Sequence, residues 1–225
     1  MEVWTRLRSA LGASPSSSLD LPPGGRVGAA LVLIADAGGG DLEIVYTRRR
    51  ADLAHHPGQI SFPGGRVDAG ETVECAALRE AAEEVGLRPA TVTCLGRMPA
   101  FYIPVSRYWL QTVVAHWTDP HGLAAAESEV AEVLRVRLSR LRDPDTWRAA
   151  EVPAGGWSWA WQLDGRNLLW GATAAVTAAL LDLLDRGWSA NRRPADLPPQ
   201  RRVRPWEERH RHVPHVDSAQ AGRAF

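Results

Sequence analysis

Between Gly65 and Leu87 the chain commits itself to a glycine-led loop followed by an acidic helix. Gly70 and the residues before it read as loop, and Thr72 is of the type that opens a helix as an N-cap. Gly86 suits a left-handed stop at the far end. Turning roughly 100° per residue, Cys75, Leu78, Ala82 and Val85 gather on one side, the face expected to bury. Glu80, Glu83 and Glu84 fall on the opposite side at i, i+3 and i+4. Like charges at that spacing repel by about a few tenths of a kcal/mol. Acids in the last turn also oppose the helix macrodipole. A solvated acidic face, with Arg79 offsetting Glu83 one turn on, is the ordinary explanation for such a cluster. Converging carboxylates are also the all-oxygen set that a hard divalent cation takes.

The spacing decides between the two. It runs G-x5-E-x7-R-E-x-x-E-E-x-G with an apolar residue last, through Gly65, Glu71, Arg79, Glu80, Glu83, Glu84, Gly86 and Leu87. That pattern resembles the Nudix box of hydrolases acting on nucleoside-diphosphate-linked substrates. At average residue usage so many fixed positions coincide by chance well under about once in a million starts. The resemblance implies an α/β fold, a Nudix-type α/β/α sandwich with a mixed central sheet, spanning residues 26–187. It further implies hydrolysis of a phosphoanhydride assisted by Mg²⁺ or Mn²⁺. Glu80 and Glu84 would be the first metal ligands, with Glu83 completing the site or acting as base. Arg79 would orient a neighbouring carboxylate, and Glu71 would position the loop.

A second stretch, Thr47 to Gly65, resembles the motif that sets the coenzyme A diphosphatase branch apart: T-x-R, a Leu four residues after its Arg, then H-x-G and F-P-G-G. Thr47, Arg49, Leu53, His56, Gly58, Phe62, Pro63, Gly64 and Gly65 agree with it. Arg50 stands where that branch usually has Ser, and Ala54 where it usually has Arg, one cation fewer for a phosphate. The resemblance names Arg49, His56, Gly58, Phe62, Gly64 and Gly65 as substrate-binding positions. Physically, Arg48 to Arg50 form a basic knot at a strand end, suited to bidentate phosphate contact or to plain exposure. Further on, Glu129 stands just before a strand leading to an apolar segment, where the family can supply a further ligand or base.

Composition narrows the alternatives. The 225 residues suffice for one full core and hardly two. Acids and bases balance at 26 each, so nothing global points to nucleic acid or a membrane, although the basic tail from Trp188 permits a nucleic-acid-binding role. Every basic residue is Arg, which excludes a P-loop Lys, a Schiff-base Lys and a Ser-Lys dyad. Cys75 and Cys94 lack metal or disulfide spacing and read as core thiols in a reducing cytoplasm. No apolar run approaches a membrane span, and the segment after Glu2 lacks a signal-type core, so no export is expected.

Along the rest of the chain, residues 3–11 read as a short helix through Trp4, Leu7 and Leu11, and residues 13–25 as a linker. Residues 28–36 and 42–49 form a hairpin. Strands are expected at 92–96 and 108–117, with an aromatic loop at 98–107 between them. Residues 138–147 read as a helix. Trp157, Trp159 and Trp161 alternate as a strand whose face buries, adenine stacking being the alternative. Residues 172–186 form an amphipathic helix ended by Gly187, where the domain is expected to close. From Trp188 the Arg- and Pro-rich sequence is expected to be disordered to residue 225, with His210, His212 and His215 near its end. A coenzyme A-like nucleotide is the expected partner, and a homodimer is left open. ADP-ribose or a capped nucleotide as substrate, or a non-catalytic nucleotide-binding module, are the rival readings.

Overall fold

The chain opens with helix α1 (Glu2–Gly12) and the hairpin β1 (Arg26–Gly38) and β2 (Asp41–Arg49) in a computed structural model describing residues 2–12, 26–103, 108–152 and 155–205. There follow β3 (Ile60–Ser61), β4 (Gly64–Arg66), α2 (Val73–Val85), β5 (Val92–Arg97), β6 (Phe101–Ile103), β7 (Tyr108–Trp117) and β8 (Val130–Arg137). Then come α3 (Leu138–Arg142), β9 (Trp147–Glu151), β10 (Trp157–Gln162), β11 (Leu168–Leu169), α4 (Gly171–Leu184) and β12 (Arg202–Val203). The expected linker and the three tail histidines lie outside the described residues.

Strand β1 is the spine. Its apolar run is buried on both faces, as a central strand between helical layers must be. Ala30, Val32 and Ile34 enter one core with α1 and α4. Ala29, Leu31, Leu33 and Ala35 enter a second core with α2. That arrangement is the α/β/α sandwich. The sheet is mixed, because β1 runs parallel to β7 and antiparallel to β2.

Beyond Ile34 and Ile44 the hairpin strands part, and residues 60–66 wedge into the gap. There β3 pairs with the end of β2 at Thr47 and Arg48, while β4 pairs with β1 at Gly28 to Ala30. The Leu31 amide donates to the Pro63 carbonyl between them, at 2.8 Å. Two consecutive glycines are thereby held in the middle of the sheet, under α2.

Four expectations change. The helix expected over 138–147 ends at Arg142, because Pro144 disfavours a helical residue before it; Asp143 instead accepts from the Asp145 amide and Trp147 opens β9. The loop expected at 98–107 contains strand β6, paired with β7, and its residues 104–107 lie outside the described set. The buried face of α2 is Val73, Ala76, Ala77, Ala81, Glu84 and Val85, and Cys75 is exposed rather than a core thiol. Ranking by hydrophobicity favours Leu and Cys, whereas close approach to β1 and β4 selects alanine.

The fourth change concerns the C-terminal segment. The domain does not close at Gly187. Trp188 is buried against Trp147, Trp159 and Trp161, with ring centroids 5.0–6.0 Å away. Arg192 lies over the Trp147 and Trp188 rings, and β12 adds to a second sheet of order β11-β10-β9-β12. Local composition understated the segment, because a single indole supplies more buried surface than the surrounding Pro and Arg residues suggest. The same packing takes Trp159 and Trp161 into the core, whereas Trp157 is only half-buried and lies under Arg202, 5.0 Å from its ring centroid.

Candidate active site

Helix α2 carries its carboxylates to the wedge. Thr72 Oγ1 accepts from the Cys75 amide at 3.2 Å, fixing the first turn, and Gly86 ends the helix at φ 67°. The chain then folds back across the C-terminal end, with the Ala126 amide donating to the Glu84 carbonyl and Ala124 to Val85. This return brings Glu129 beside the end of β2, where the Arg50 amide donates to the Glu129 carbonyl at 3.0 Å.

Glu84 is the innermost acid, its side chain only 7% exposed. Its Oε2 accepts from the Gly64 amide at 3.1 Å. Burial pushes its carboxyl up to about 7; the Gly64 amide and the Arg49 guanidinium oppose that, while Glu80 and Glu129 add to it. Glu80, one turn earlier, is raised by the same desolvation against the pull of Arg79. Its carboxylate lies where a Cβ on Gly65 would stand, 2.4–2.5 Å away. A glycine at 65 is therefore a steric requirement of Glu80.

Arg79 organises the near end. It grips Glu71 with two bonds of 3.0 Å, Glu80 Oε1 at 2.9 Å and the Arg66 carbonyl at 3.0 Å. Bonding to Glu71 raises its pKa far above the ordinary guanidinium value. The same bond holds the Glu71 carboxyl below the usual range, and Glu71 also accepts from the Asp68 amide. Glu83 is exposed and reaches Arg79 at 3.5 Å.

The basic knot at the end of β2 separates. Strand alternation sends Arg49 to the α2 side, with Nη1 4.0 Å from Glu84 Oε1 and 3.9 Å from Glu129 Oε2. Arg48 goes to the opposite face and bonds Glu132, which also receives Arg166. Arg50 closes a bidentate pair with Asp52. Alternation along β2 was the signal in the sequence that could have told Arg48 from Arg49; Arg50 lies just past the strand end.

Residues 25–157 match the family described as the NUDIX domain. The chain is 33% identical over 144 residues to the uncharacterised Nudix hydrolase NudL of Escherichia coli O7:K1, covering 61% of this chain and 72% of that one. It is 34% identical over 151 residues to the NudL of Pectobacterium atrosepticum, covering 64% and 76%.

The chain belongs to the Nudix family. It is a Nudix hydrolase, of the class that acts on nucleoside-diphosphate derivatives. Among solved structures, the Nudix hydrolase RenU of M. smegmatis aligns with TM-score 0.49 at 22% identity, over 71% of this chain and 84% of that one.

Of the expected site positions, the fold brings Glu71, Arg79, Glu80, Glu83, Glu84, Glu129, Arg49, Gly64 and Gly65 together. Phe62 does not join them. Its ring is buried and stacks on Tyr46 at 4.8 Å, in the core on the α4 side of the sheet. The wedge explains this, since a bulky residue before Pro63-Gly64-Gly65 anchors the insertion from below. His56 and Gly58 shape the preceding loop. His56 adopts φ 53° with its ring against Gln59 Oε1 at 2.6 Å, and the Gly58 amide returns to the Arg50 carbonyl.

Among the described residues no three His, Cys, Asp or Glu side chains already converge on one point. Arg79 engages Glu80, Gly64 holds one oxygen of Glu84, and Glu83 faces outward. The donor set still fits a hard divalent cation. All donors are carboxylate oxygens, and i, i+4 neighbours on a helix stand roughly 5–6 Å apart at Cβ, within reach of a shared ion. No helix among the described residues is long and apolar enough to cross a membrane.

Proposed function

We propose that this Nudix hydrolase cleaves coenzyme A or an acyl-CoA at its diphosphate, giving 4′-phosphopantetheine and adenosine 3′,5′-bisphosphate. The observation that carries the reading is Arg49. It is the position of the coenzyme A-type motif whose side chain reaches Glu84 and Glu129, whereas Arg48 and Arg50 are spent on Glu132 and Asp52.

In this reading Glu80 and Glu84 hold Mg²⁺ or Mn²⁺, and Glu83 completes the set or takes the proton from the attacking water. A bound divalent cation neutralises diphosphate charge and orients water toward phosphorus. The protein's own residues do the positioning. Arg79 and Glu71 fix the entry to α2, and the Gly64 amide orients Glu84. Gly65 leaves room for Glu80, and Arg49 offers a guanidinium to a phosphate. Glu129 is the further candidate ligand or base.

The test is kcat/KM on coenzyme A, dephospho-CoA and ADP-ribose with Mg²⁺ or Mn²⁺. Coenzyme A is expected to be the best of the three. Faster hydrolysis of ADP-ribose would replace this substrate assignment with the dinucleotide reading.

A further inference from the structure

We infer that Arg49 competes with the divalent cation for the carboxylates of the site and is handed to the substrate's diphosphate once that cation is bound. This rests on reading the glutamate cluster as a cation site and adds to it a coupling between metal and substrate.

Arg49 differs from Arg48, Arg50 and Arg79 in what its donors do. Arg79 directs all three guanidinium nitrogens to partners, at 2.9–3.0 Å in its best bonds. Arg48 makes two bonds to one oxygen of Glu132, and Arg50 makes a fork on Asp52. Arg49 instead lies between two carboxylates at 3.9 and 4.0 Å, too far for a hydrogen bond to either. Its Nε is buried with no hydrogen-bond partner. The guanidinium is held by charge alone and keeps unspent donors, an arrangement that costs stability unless another state uses them.

Its position is fixed by backbone. Register shifts between Arg48 and Arg49, where β2 pairs with β8, so that Arg49 faces Val130. The extra residue at this shift is Ala131 of β8, and alternation along β2 turns the Arg49 side chain to the α2 side, beside Glu84 and Glu129. Glu84 is buried and needs a cation, and a guanidinium or a divalent ion can each supply one. They cannot share the same oxygens, since two cations at that range repel. Metal at Glu84 therefore drives Arg49 outward, and a diphosphate is the ligand whose paired oxygens match its free fork. Substrate and metal then assist each other, because each removes the other's competitor.

The test uses Mn²⁺ titrations by calorimetry on the full chain, with Arg49→Gln and Arg49→Lys, and without nucleotide. Loss of a competing charge is expected to tighten Mn²⁺ binding roughly 10-fold in Arg49→Gln, while Arg49→Lys stays near wild type. A merely supportive neighbour of a ligand predicts the opposite sign, a loss of about 10- to 100-fold. In a second titration at saturating Mn²⁺, imidodiphosphate is expected to bind Arg49→Gln about 10-fold or more weakly than wild type. One substitution thus moves the two ligands in opposite directions. Unchanged or weaker Mn²⁺ binding in Arg49→Gln, with wild type binding normally, would overturn this inference alone. Absence of Mn²⁺ binding in wild type as well would overturn the cation site beneath it.

Discussion

Gly64 and Gly65 are adjacent, yet the structure predicts opposite consequences for replacing them by alanine. A Cβ on Gly65 would lie 2.5 Å from both Glu80 carboxylate oxygens. Ordinary contact is about 3.5 Å, so the carboxylate must retreat by about 1 Å. That carboxylate is the end of a flexible side chain, 17% exposed, and moving it loosens one bond to Arg79. The stability cost is expected to stay near or below about 1 kcal/mol. Displacing a reacting group by about 1 Å, in contrast, costs roughly 10²-fold in rate. A Cβ on Gly64 would stand 2.3 Å from the Ala29 carbonyl oxygen and 2.8 Å from the Ala30 Cα. These are backbone atoms of the central strand and cannot yield without opening the β1–β4 pairing. Overpacking and lost ladder bonds together cost about 3 kcal/mol or more. At roughly 2–4 °C per kcal/mol that is about 6–12 °C in melting temperature. Thermal melts and kcat on both variants separate the cases. Gly65→Ala should fold normally and turn over slowly, and Gly64→Ala should melt early. Wild-type kcat in folded Gly65→Ala, or a Gly64→Ala melting point within about 2 °C of wild type, would refute the reasoning.

Trp188→Ala should lower the melting temperature by roughly 6–20 °C, since deleting a buried indole costs about 3–5 kcal/mol. A shift within about 2 °C would contradict the docking of residues 188–205. The raised Glu84 carboxyl sets a pH dependence for the protein without metal. The folded state holds a proton there that the unfolded state has released, so its stability falls between the ordinary carboxylate value of 4.5 and about 7. His116, whose burial lowers its imidazole, works in the opposite sense. Glu80, raised by the same desolvation, adds to the fall. The informative comparison is therefore with Glu84→Gln, which retains His116 and Glu80 and should lose the part of the downward slope that Glu84 contributes. Melting curves from pH 5 to 8 that keep the same slope in both proteins would contradict the assignment. Added Mg²⁺ should stabilise wild type more at pH 8 than at pH 5, because protons compete with metal for these oxygens.

Local signals in the sequence anticipated a good part of this. Thr72 and Gly86 mark the helix ends where the caps are observed, and the apolar run of β1 identifies the central strand. The box spacing points to Glu71, Arg79, Glu80 and Glu84, which the fold gathers around Gly64 and Gly65 of β4. What failed needed tertiary knowledge. The buried side of α2 could not be ranked by hydrophobicity, because closeness to β1 and β4 favours Ala77 and Ala81 over Cys75. Phe62 sits inside a binding motif yet points to the core, since only the parting of β1 and β2 shows which side of the wedge it occupies. Trp188 looked like the first residue of a polar tail, and its partners Trp147, Trp159 and Trp161 lie 27 to 41 positions earlier. The separation of Arg48 from Arg49 follows from strand alternation, a rule available in the sequence, but the acids that meet them come from β8, the loop before it and α2, while Arg50 turns to Asp52 beside it.

The most direct test is to incubate the full chain with coenzyme A, with and without Mg²⁺ or Mn²⁺, and to identify the products by chromatography. The account predicts 4′-phosphopantetheine and adenosine 3′,5′-bisphosphate in equal amounts. Chelation should abolish the reaction and restored metal should recover it, while Glu84→Gln should slow it roughly 10²-fold or more. Cleavage at another bond, turnover that survives chelation, or wild-type turnover in Glu84→Gln would contradict it.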